Sequence, residues 1–348
     1  MKVALAGLMQ SGKSTLLSAI SGKAVSPVGS MTIEEAIVSV PDERLDWLTD
    51  LYKPKKTVHA TIDCLDVPGF NFSDESGRAA ARRLFEKIRT VDMLVMVIGA
   101  YGTDADPIRD ITELRTELLL ADLALVATRI DKLEKQIHKP TKTQARDKAE
   151  LALQKKLQET IEAERPISTA VETDAEKEMI KSLGFLTQKP ISVAVNVGED
   201  QLNESIALSS VLDSSVPAIS MCATLEHELS QLDMESRAEF MADLGLTDSA
   251  ATRLIQSCYS ALGLISFLTV GPDEVRAWPI QQGTIAHDAA GKVHSDIKRG
   301  FIRAETFAFE DLQSLGSEKE LKAAGKIRLE GKTYVVEDGD IINFRFNV

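Results

Sequence analysis

The first fifteen residues constrain this chain more than any other stretch. Residues 2–6 are a short apolar run, broken by Gly7-Leu8-Met9-Gln10-Ser11-Gly12-Lys13-Ser14-Thr15. This is a complete G-x-x-x-x-G-K-[ST] pattern in the expected setting, a buried strand before it and a helix face of Leu16, Leu17, Ala19 and Ile20 after it. The glycines let backbone N–H groups turn inward around phosphates, and Lys13 neutralises the β/γ oxygens. The Ser14 hydroxyl can ligate Mg2+ at the positive end of the new helix. Gln10, Ser11, Gly12, Lys13, Ser14 and Thr15 therefore form the expected phosphate cradle, and the chain is expected to bind a nucleoside triphosphate.

With 348 residues, the chain has room for two or three domains, and a formal net charge of −13 argues against a general polyanion binder. Any nucleic-acid contact would have to come from a local basic patch. Cys64, Cys222 and Cys258 show no C-x-x-C spacing, so they read as buried, reduced thiols. The N-terminal apolar run is too short for a signal peptide, and Leu118 to Ala127, interrupted by Asp122, is too short to span a membrane. The expectation is a cytoplasmic, most simply monomeric protein without a membrane segment.

Strand-like runs at 2–6, 33–40, 59–65 and 91–98 alternate with helical ones, which predicts a mostly parallel sheet covered by helices. From Asp110 to about Gly184, Gly and strand patterns vanish. Val126, Ile130, Leu133 and Ile137 repeat at helical spacing, and Leu153, Leu157 and Ile161 continue it after a break at Pro140. Two long antiparallel helices, a coiled-coil hairpin, are expected there. Between Lys132 and Lys156, eight basic residues (Lys132, Lys135, Lys139, Lys142, Arg146, Lys148, Lys155, Lys156) face three acidic ones. That local net of +5 suits either a solubilising surface or one facing RNA. Strands are expected again at 191–195 and 216–220, then a small mixed β domain with runs at 273–280, 301–309, 326–329, 333–336 and 341–347.

Asp66-Val67-Pro68-Gly69 follows the predicted third strand as a D-x-x-G element, its carboxylate reaching Mg2+ through water and the Gly69 amide sensing the γ-phosphate. Thr32, in Met31-Thr32-Ile33, sits where switch GTPases complete Mg2+ coordination, though a threonine opening a strand reads the same way. For the base there are two candidates. Thr128-Arg129-Ile130-Asp131 has the look of a degenerate N-K-x-D but lies in unbroken helical periodicity. Asn196-Val197-Gly198-Glu199 follows a buried strand, with Cys222-Ala223-Thr224 as a base-backing turn after the next one, and is the stronger candidate. Glu199 in place of Asp changes the acceptor's reach toward guanine, so strict guanine selectivity is not expected. The five histidines read as structural or surface residues.

With these motifs, the chain resembles the YchF family of Obg-like ATPases along its whole length. The resemblance is carried by the phosphate loop, Thr32-Ile33-Glu34, Val40 to Leu45, Asp106-Pro107 through Leu123, Asn196 to Asp200, Glu274 to Trp278, Gly300 to Glu305, Arg328 to Lys332 and Asp338 to Val348. It implies an α/β P-loop G domain (1–109 and 189–263), a helical coiled-coil insert (110–188) and a C-terminal TGS domain of ubiquitin-like β-grasp shape (264–348). It also implies an Mg2+-dependent ATP/GTP switch with slow hydrolysis, acting near the ribosome or RNA through the insert and TGS domain. In that reading Lys13 is catalytic, Ser14 and Thr32 ligate the metal, and Asn196 with the Val197 backbone meets the base.

The departures fall where chemistry should occur. Met9 and Gln10 stand where the family has Pro and Asn, and the glycine-rich segment after D-x-x-G is replaced by Asn71 to Arg78. The loop Gly99 to Ala105 is short and lacks the family's histidine, while Phe70, where many GTPases use a water-orienting Gln, fits the family's hydrophobic substitution but supplies no polar group. The missing histidine and the altered segment after D-x-x-G motivate an alternative, a pseudo-NTPase that binds nucleotide without significant turnover. A small-molecule P-loop kinase needs neither the N-x-x-E turn nor a TGS-like tail.

Overall fold

The computed structural model describes residues 1–24, 32–138, 142–202, 206–243 and 248–347, so Met31, Lys139, Pro140 and Val348 lie outside the described residues. The chain opens with β1 (Lys2–Ala6), α1 (Lys13–Ser21), β2 (Glu34–Ser39), α2 (Glu43–Tyr52), β3 (Lys56–Val58), β4 (Thr61–Asp66), α3 (Glu75–Ile88) and β5 (Met93–Gly99). Two long helices, α4 (Pro107–Gln136) and α5 (Gln144–Glu162), and a short α6 (Asp174–Lys181) follow. Next come β6 (Ile191–Asn196), β7 (Ala218–Met221), α7 (Ala223–Gln231), α8 (Met234–Asp243) and α9 (Ala250–Ala261). The C-terminal elements are β8 (Leu264–Thr269), β9 (Glu274–Gln281), α10 (Ala286–Val293), α11 (Ser295–Arg299), β10 (Phe301–Ala308), α12 (Phe309–Leu315), α13 (Glu318–Ala323), β11 (Arg328–Glu330) and β12 (Asp340–Phe346). They gather into two compact units, Met1–Ala36 with Asp63–Ala251, and Ile37–Ile62 with Thr252–Val348.

In the first unit β4, β1, β5, β6 and β7 pair in parallel, within a sheet of order β2-β4-β1-β5-β6-β7. Strand β5, MLVMVIG, is buried along almost its whole length, as expected of a parallel strand covered on both faces. Phe70, Phe85, Ile88, Leu94, Met96, Ile111, Leu114 and Leu118 build the core around it. Helix α4 starts at Pro107, whose missing N–H costs nothing in the first turn, with Asp106 accepting from the Arg109 N–H at 3.0 Å. The helix thus begins three residues before the compositional change at Asp110. The predicted helical stripe is the core of α4 and α5: Val126, Ile130, Leu133, Leu153, Leu157 and Ile161 are buried together, with Ile137 packed at its edge.

A buried ion pair roots these helices. Arg89, after α3, donates to Asp122 of α4 at 2.6 Å. The same carboxylate accepts from the Leu186 N–H (3.1 Å) and from the Thr187 N–H and hydroxyl (2.9 and 2.8 Å) on the return to β6. Asp122 is fully buried, and every charge-bearing oxygen is hydrogen-bonded, the condition under which such a pair is tolerated.

The second unit carries a mixed sheet of order β11-β10-β12-β8-β9-β3. Strands β8 and β9 form an antiparallel pair, β12 runs parallel to β8 and antiparallel to β10, and β3 joins β9 in parallel. Helix α10 lays Ala286, Ala289 and Ala290 against Phe267, Ile280 and Ile342. Phe267 stacks on Trp278 at 6.2 Å and meets Phe344 edge-on. Helix α2 belongs to this unit: Trp47 packs edge-on against Phe309, and Arg44 pairs with both Asp42 and Asp338.

Most predicted strands match within two residues, but some expectations change. The run at 333–336 is no strand; Val335 makes only an isolated bridge to Ile285 because the segment is an edge turn between β11 and β12. Strands β3 and β8 are also unmarked in the sequence, β3 because it is only three residues long and β8 because its apolar run follows the helical pattern of α9 without a turn other than Gly263. Among the described residues no helix is long and apolar enough to cross a membrane.

Candidate functional site

Parallel strands put all their C-terminal ends on one edge of the sheet, and the loops there assemble the site. Leaving β1, the chain turns at Gly7, where a Cβ would lie 2.2 Å from the Val97 carbonyl of β5. Gln10 and Gly12 both have positive φ, 62° and 96°. At Gly12 a Cβ would also meet the Asn196 amide nitrogen at 2.2 Å, so only glycine satisfies both backbone and neighbour. Helix α1 then starts at Lys13, with its free N–H groups at the loop.

Lys13 is buried, and its ammonium is held inside the loop by the Leu8 carbonyl (2.7 Å) and the Ser11 hydroxyl (3.2 Å). Loss of hydration lowers it to about 8, against the opposing pull of the Asp66 charge. Ser14 donates to Asp66 at 2.5 Å through one carboxylate oxygen; the other, Oδ1, is buried without a hydrogen-bond partner. Burial raises the Asp66 carboxyl, an effect reduced by the Ser14 hydrogen bond and by Lys13. An orphaned acidic oxygen beside a serine hydroxyl is the donor set a hard divalent cation takes, so Ser14 and Asp66 fit Mg2+.

The D-x-x-G loop is stitched to the phosphate loop by backbone. The Met9 N–H donates to the Phe70 carbonyl (3.1 Å) and the Phe70 N–H to the Gly7 carbonyl (3.0 Å). At Gly69 a Cβ would stand 2.7 Å from the Met9 Cα, which explains a glycine there on steric grounds alone.

From the end of β6, Asn196 donates to the Ser11 carbonyl (3.1 Å) and accepts from the Ala223 N–H (2.9 Å). One buried amide thus joins the phosphate loop to the turn at Cys222-Ala223. The Val197 N–H is taken by the Met221 carbonyl at 2.8 Å, and the Cys222 thiol lies 3.2 Å from the Thr224 hydroxyl. Glu199 is exposed in the turn after β6, Thr15 is half-buried on α1, and Thr32 is exposed just before β2. The rival Thr128-Asp131 lies within α4, away from any strand end.

Known proteins place this geometry in context. A family model described as "50S ribosome-binding GTPase" matches residues 2–156, and the YchF GTPase C-terminal model, described only as a protein of unknown function, matches 264–347. The chain is 38% identical to "Ribosome-binding ATPase YchF" of Bacillus subtilis, covering 99% of this chain and 98% of the relative. "Obg-like ATPase 1" of Oryza sativa is 34% identical, covering 100% and 92%. The YchF GTPase of Schizosaccharomyces pombe superposes with a TM-score of 0.82 at 30% identity, covering 99% and 97%.

The chain belongs to the YchF family. Its fold is accordingly a P-loop GTPase domain with a helical stretch between β5 and β6 and a C-terminal TGS-like domain. Within that YchF frame, the residues around the D-x-x-G element are informative. Phe70 is buried in an aromatic cluster, 4.9 Å from Phe85 and 5.8 Å from Phe72, so it offers the site no polar group. Arg78, in the altered segment after D-x-x-G, donates to the Phe72 carbonyl at 2.9 Å and lies 3.6 Å from Glu117 of α4. Sequence reasoning missed Tyr101, whose hydroxyl donates to the Gln10 carbonyl from the loop after β5. No motif marks an aromatic residue in a short loop, and only the fold brings it to the phosphate loop.

Proposed function

We propose that this YchF chain is a nucleotide switch that binds ATP or GTP with Mg2+ and hydrolyses it slowly, working at the ribosome. The observation that carries the reading is Asn196, which holds the phosphate loop and the Cys222-Ala223 turn in one hydrogen-bonded frame. Within it, Gln10 to Thr15 would surround the phosphates, with the Gly69 amide near the γ-phosphate. Asn196, Val197, Glu199, Cys222 and Ala223 would surround the base.

Ser14 would hold Mg2+, with Asp66 reaching it through water and Thr32 joining when the triphosphate is bound; the cation would supply charge neutralisation on the transferred phosphoryl group. Lys13 would stabilise the same charge from the protein side, having exchanged the Leu8 carbonyl for phosphate oxygens. The domain assignment that accompanies this reading is the G domain at 1–109 and 189–263, the helical insert at 110–188 and the TGS domain at 264–348, in a cytoplasmic protein.

The ribosome enters through the relatives' printed names and through the helical face, where Lys132, Lys135, Lys142, Arg146 and Lys148 are exposed. Phosphate release from MgATP and MgGTP tests the enzyme: release that Lys13→Ala leaves unchanged would remove the hydrolase assignment. Co-sedimentation with ribosomes should weaken with salt and with charge reversal at Lys132, Lys135 and Lys148, and indifference to both would remove that surface.

A second reading, a nucleotide-binding module without significant turnover, is motivated by the altered segment after D-x-x-G, where Arg78 is tied to the Phe72 carbonyl, and by the loop Gly99 to Ala105 without a histidine. It predicts an intact γ-phosphate after long incubation, and full conversion to the diphosphate excludes it.

A further inference from the structure

We infer that Tyr101 is a positioning residue of the phosphate loop, its hydroxyl fixing the Gln10–Ser11 peptide so that the Ser11 N–H faces the phosphate side. This inference rests on the nucleotide-site reading above and adds to it a residue outside every motif.

The geometry starts at Gln10, which holds φ 62°, a left-handed conformation that side-chain-bearing residues rarely adopt without outside support. The Tyr101 hydroxyl supplies that support by donating to the Gln10 carbonyl. In a trans peptide, the carbonyl of one residue and the N–H of the next lie on opposite edges of the same plane. Pinning the Gln10 carbonyl on one side therefore turns the Ser11 N–H to the other, where it donates to the Leu8 carbonyl at 3.4 Å. That oxygen is the one holding the Lys13 ammonium at 2.7 Å, so the N–H faces the side the cationic group occupies.

The next peptide is held in the same manner. Asn196 takes the Ser11 carbonyl, and the Gly12 N–H is turned to the opposite edge. Two successive carbonyls are thus held by side chains from elsewhere in the fold, and the two N–H groups would form an anion nest once the Ser11 N–H, like the Lys13 ammonium, exchanges the Leu8 carbonyl for a phosphate oxygen. Burial raises the Tyr101 phenol above its ordinary value, which keeps the hydroxyl a donor throughout the neutral range.

The test is the affinity of the full-length chain for a non-hydrolysable ATP analogue with Mg2+ and for adenosine, by calorimetry and competition, in wild type, Tyr101→Phe and Lys13→Ala. Tyr101→Phe is expected to weaken the analogue by about three- to tenfold, the effect of one lost hydrogen bond, while adenosine binding stays unchanged. An unchanged ratio of the two affinities overturns the inference, whether both hold or both fall, and this ratio remains decisive if the variant's thermal midpoint moves. Lys13→Ala separates the two failures. If it binds the analogue like wild type, the site reading itself is wrong; if it loses the analogue and Tyr101→Phe does not, only the role of Tyr101 falls.

Discussion

The two units of this molecule close by different means. In the first, the key positions of the site are backbone positions: Gly7, Gly12 and Gly69 are where they are because a Cβ would strike Val97, Asn196 or Met9. In the second, the closures are made by side chains from segments far apart in the chain, Arg44 with Asp338, Tyr52 with Glu318 and Lys55 with Asp273. A backbone constraint leaves a mark in the local sequence, and a side-chain pairing does not. The nucleotide site is therefore the more readable part, and the less forgiving of substitution.

The largest expected effect tests whether the first unit also depends on a long-range pair. Asp122→Ala leaves the buried Arg89 guanidinium with only the largely exposed Glu86 as counter-charge and should cost about 3–5 kcal/mol in urea unfolding. A loss under about 1 kcal/mol would show that water reaches the site and that the pair is not a root of the helices.

Glycines give a sharper contrast. Gly12→Ala meets both a left-handed backbone and Asn196, and should cost about 2–3 kcal/mol and abolish nucleotide binding. Gly316→Ala, at φ 78° with open space around it, carries only the backbone term of about 1–2 kcal/mol. Equal losses in thermal unfolding would mean the clash with Asn196 is relieved by a side-chain movement.

In the second unit, Arg44→Ala should cost about 1–2 kcal/mol, because the guanidinium is partly exposed and water screens its pairs. A loss as large as that of Asp122→Ala would erase the distinction between the units.

The smallest expected effect is a pH dependence. Lys13 titrates at about 8 in the free chain rather than 10.5, so as pH rises through 8 its charge is lost and affinity for the triphosphate falls. Binding should take up protons in that range, read by calorimetry in buffers of different ionisation enthalpy. The stability sign is opposite: between about 8 and 10.5 the unfolded chain holds a proton the folded one has lost, so this group's contribution rises with pH. An affinity flat to pH 10 would mean Lys13 remains charged.

The sequence makes the strand-loop-helix at Gly7 to Ser21 and the helical stripe from Val126 to Ile161 legible because each lies within a single element or its flanks. Asn196 was legible for the same reason, standing at the end of a continuous apolar strand. Its two hydrogen bonds were not, since they join residues 185 and 27 positions apart. The place of Thr32 before β2 stayed open on sequence, and geometry leaves it exposed. Arg44 and Asp338 stood in two matching stretches without any sign that they meet, because charge alone does not choose among many possible partners.

The ion pair at Asp122 also has a consequence for the chain as a polymer. The helical excursion leaves from β5 and returns on β6, which are neighbours in the sheet and thus only about 5 Å apart. A short turn would satisfy the same end-to-end distance, so the excursion is a removable cassette in topological terms. What prevents its clean excision is packing as well as charge: Ile111, Leu114 and Leu118 of α4 belong to the core around β5, and with Asp122 gone Arg89 would keep only the largely exposed Glu86 as counter-charge. Any shortened version of this chain must therefore refill the space of those α4 side chains and either re-partner or replace Arg89.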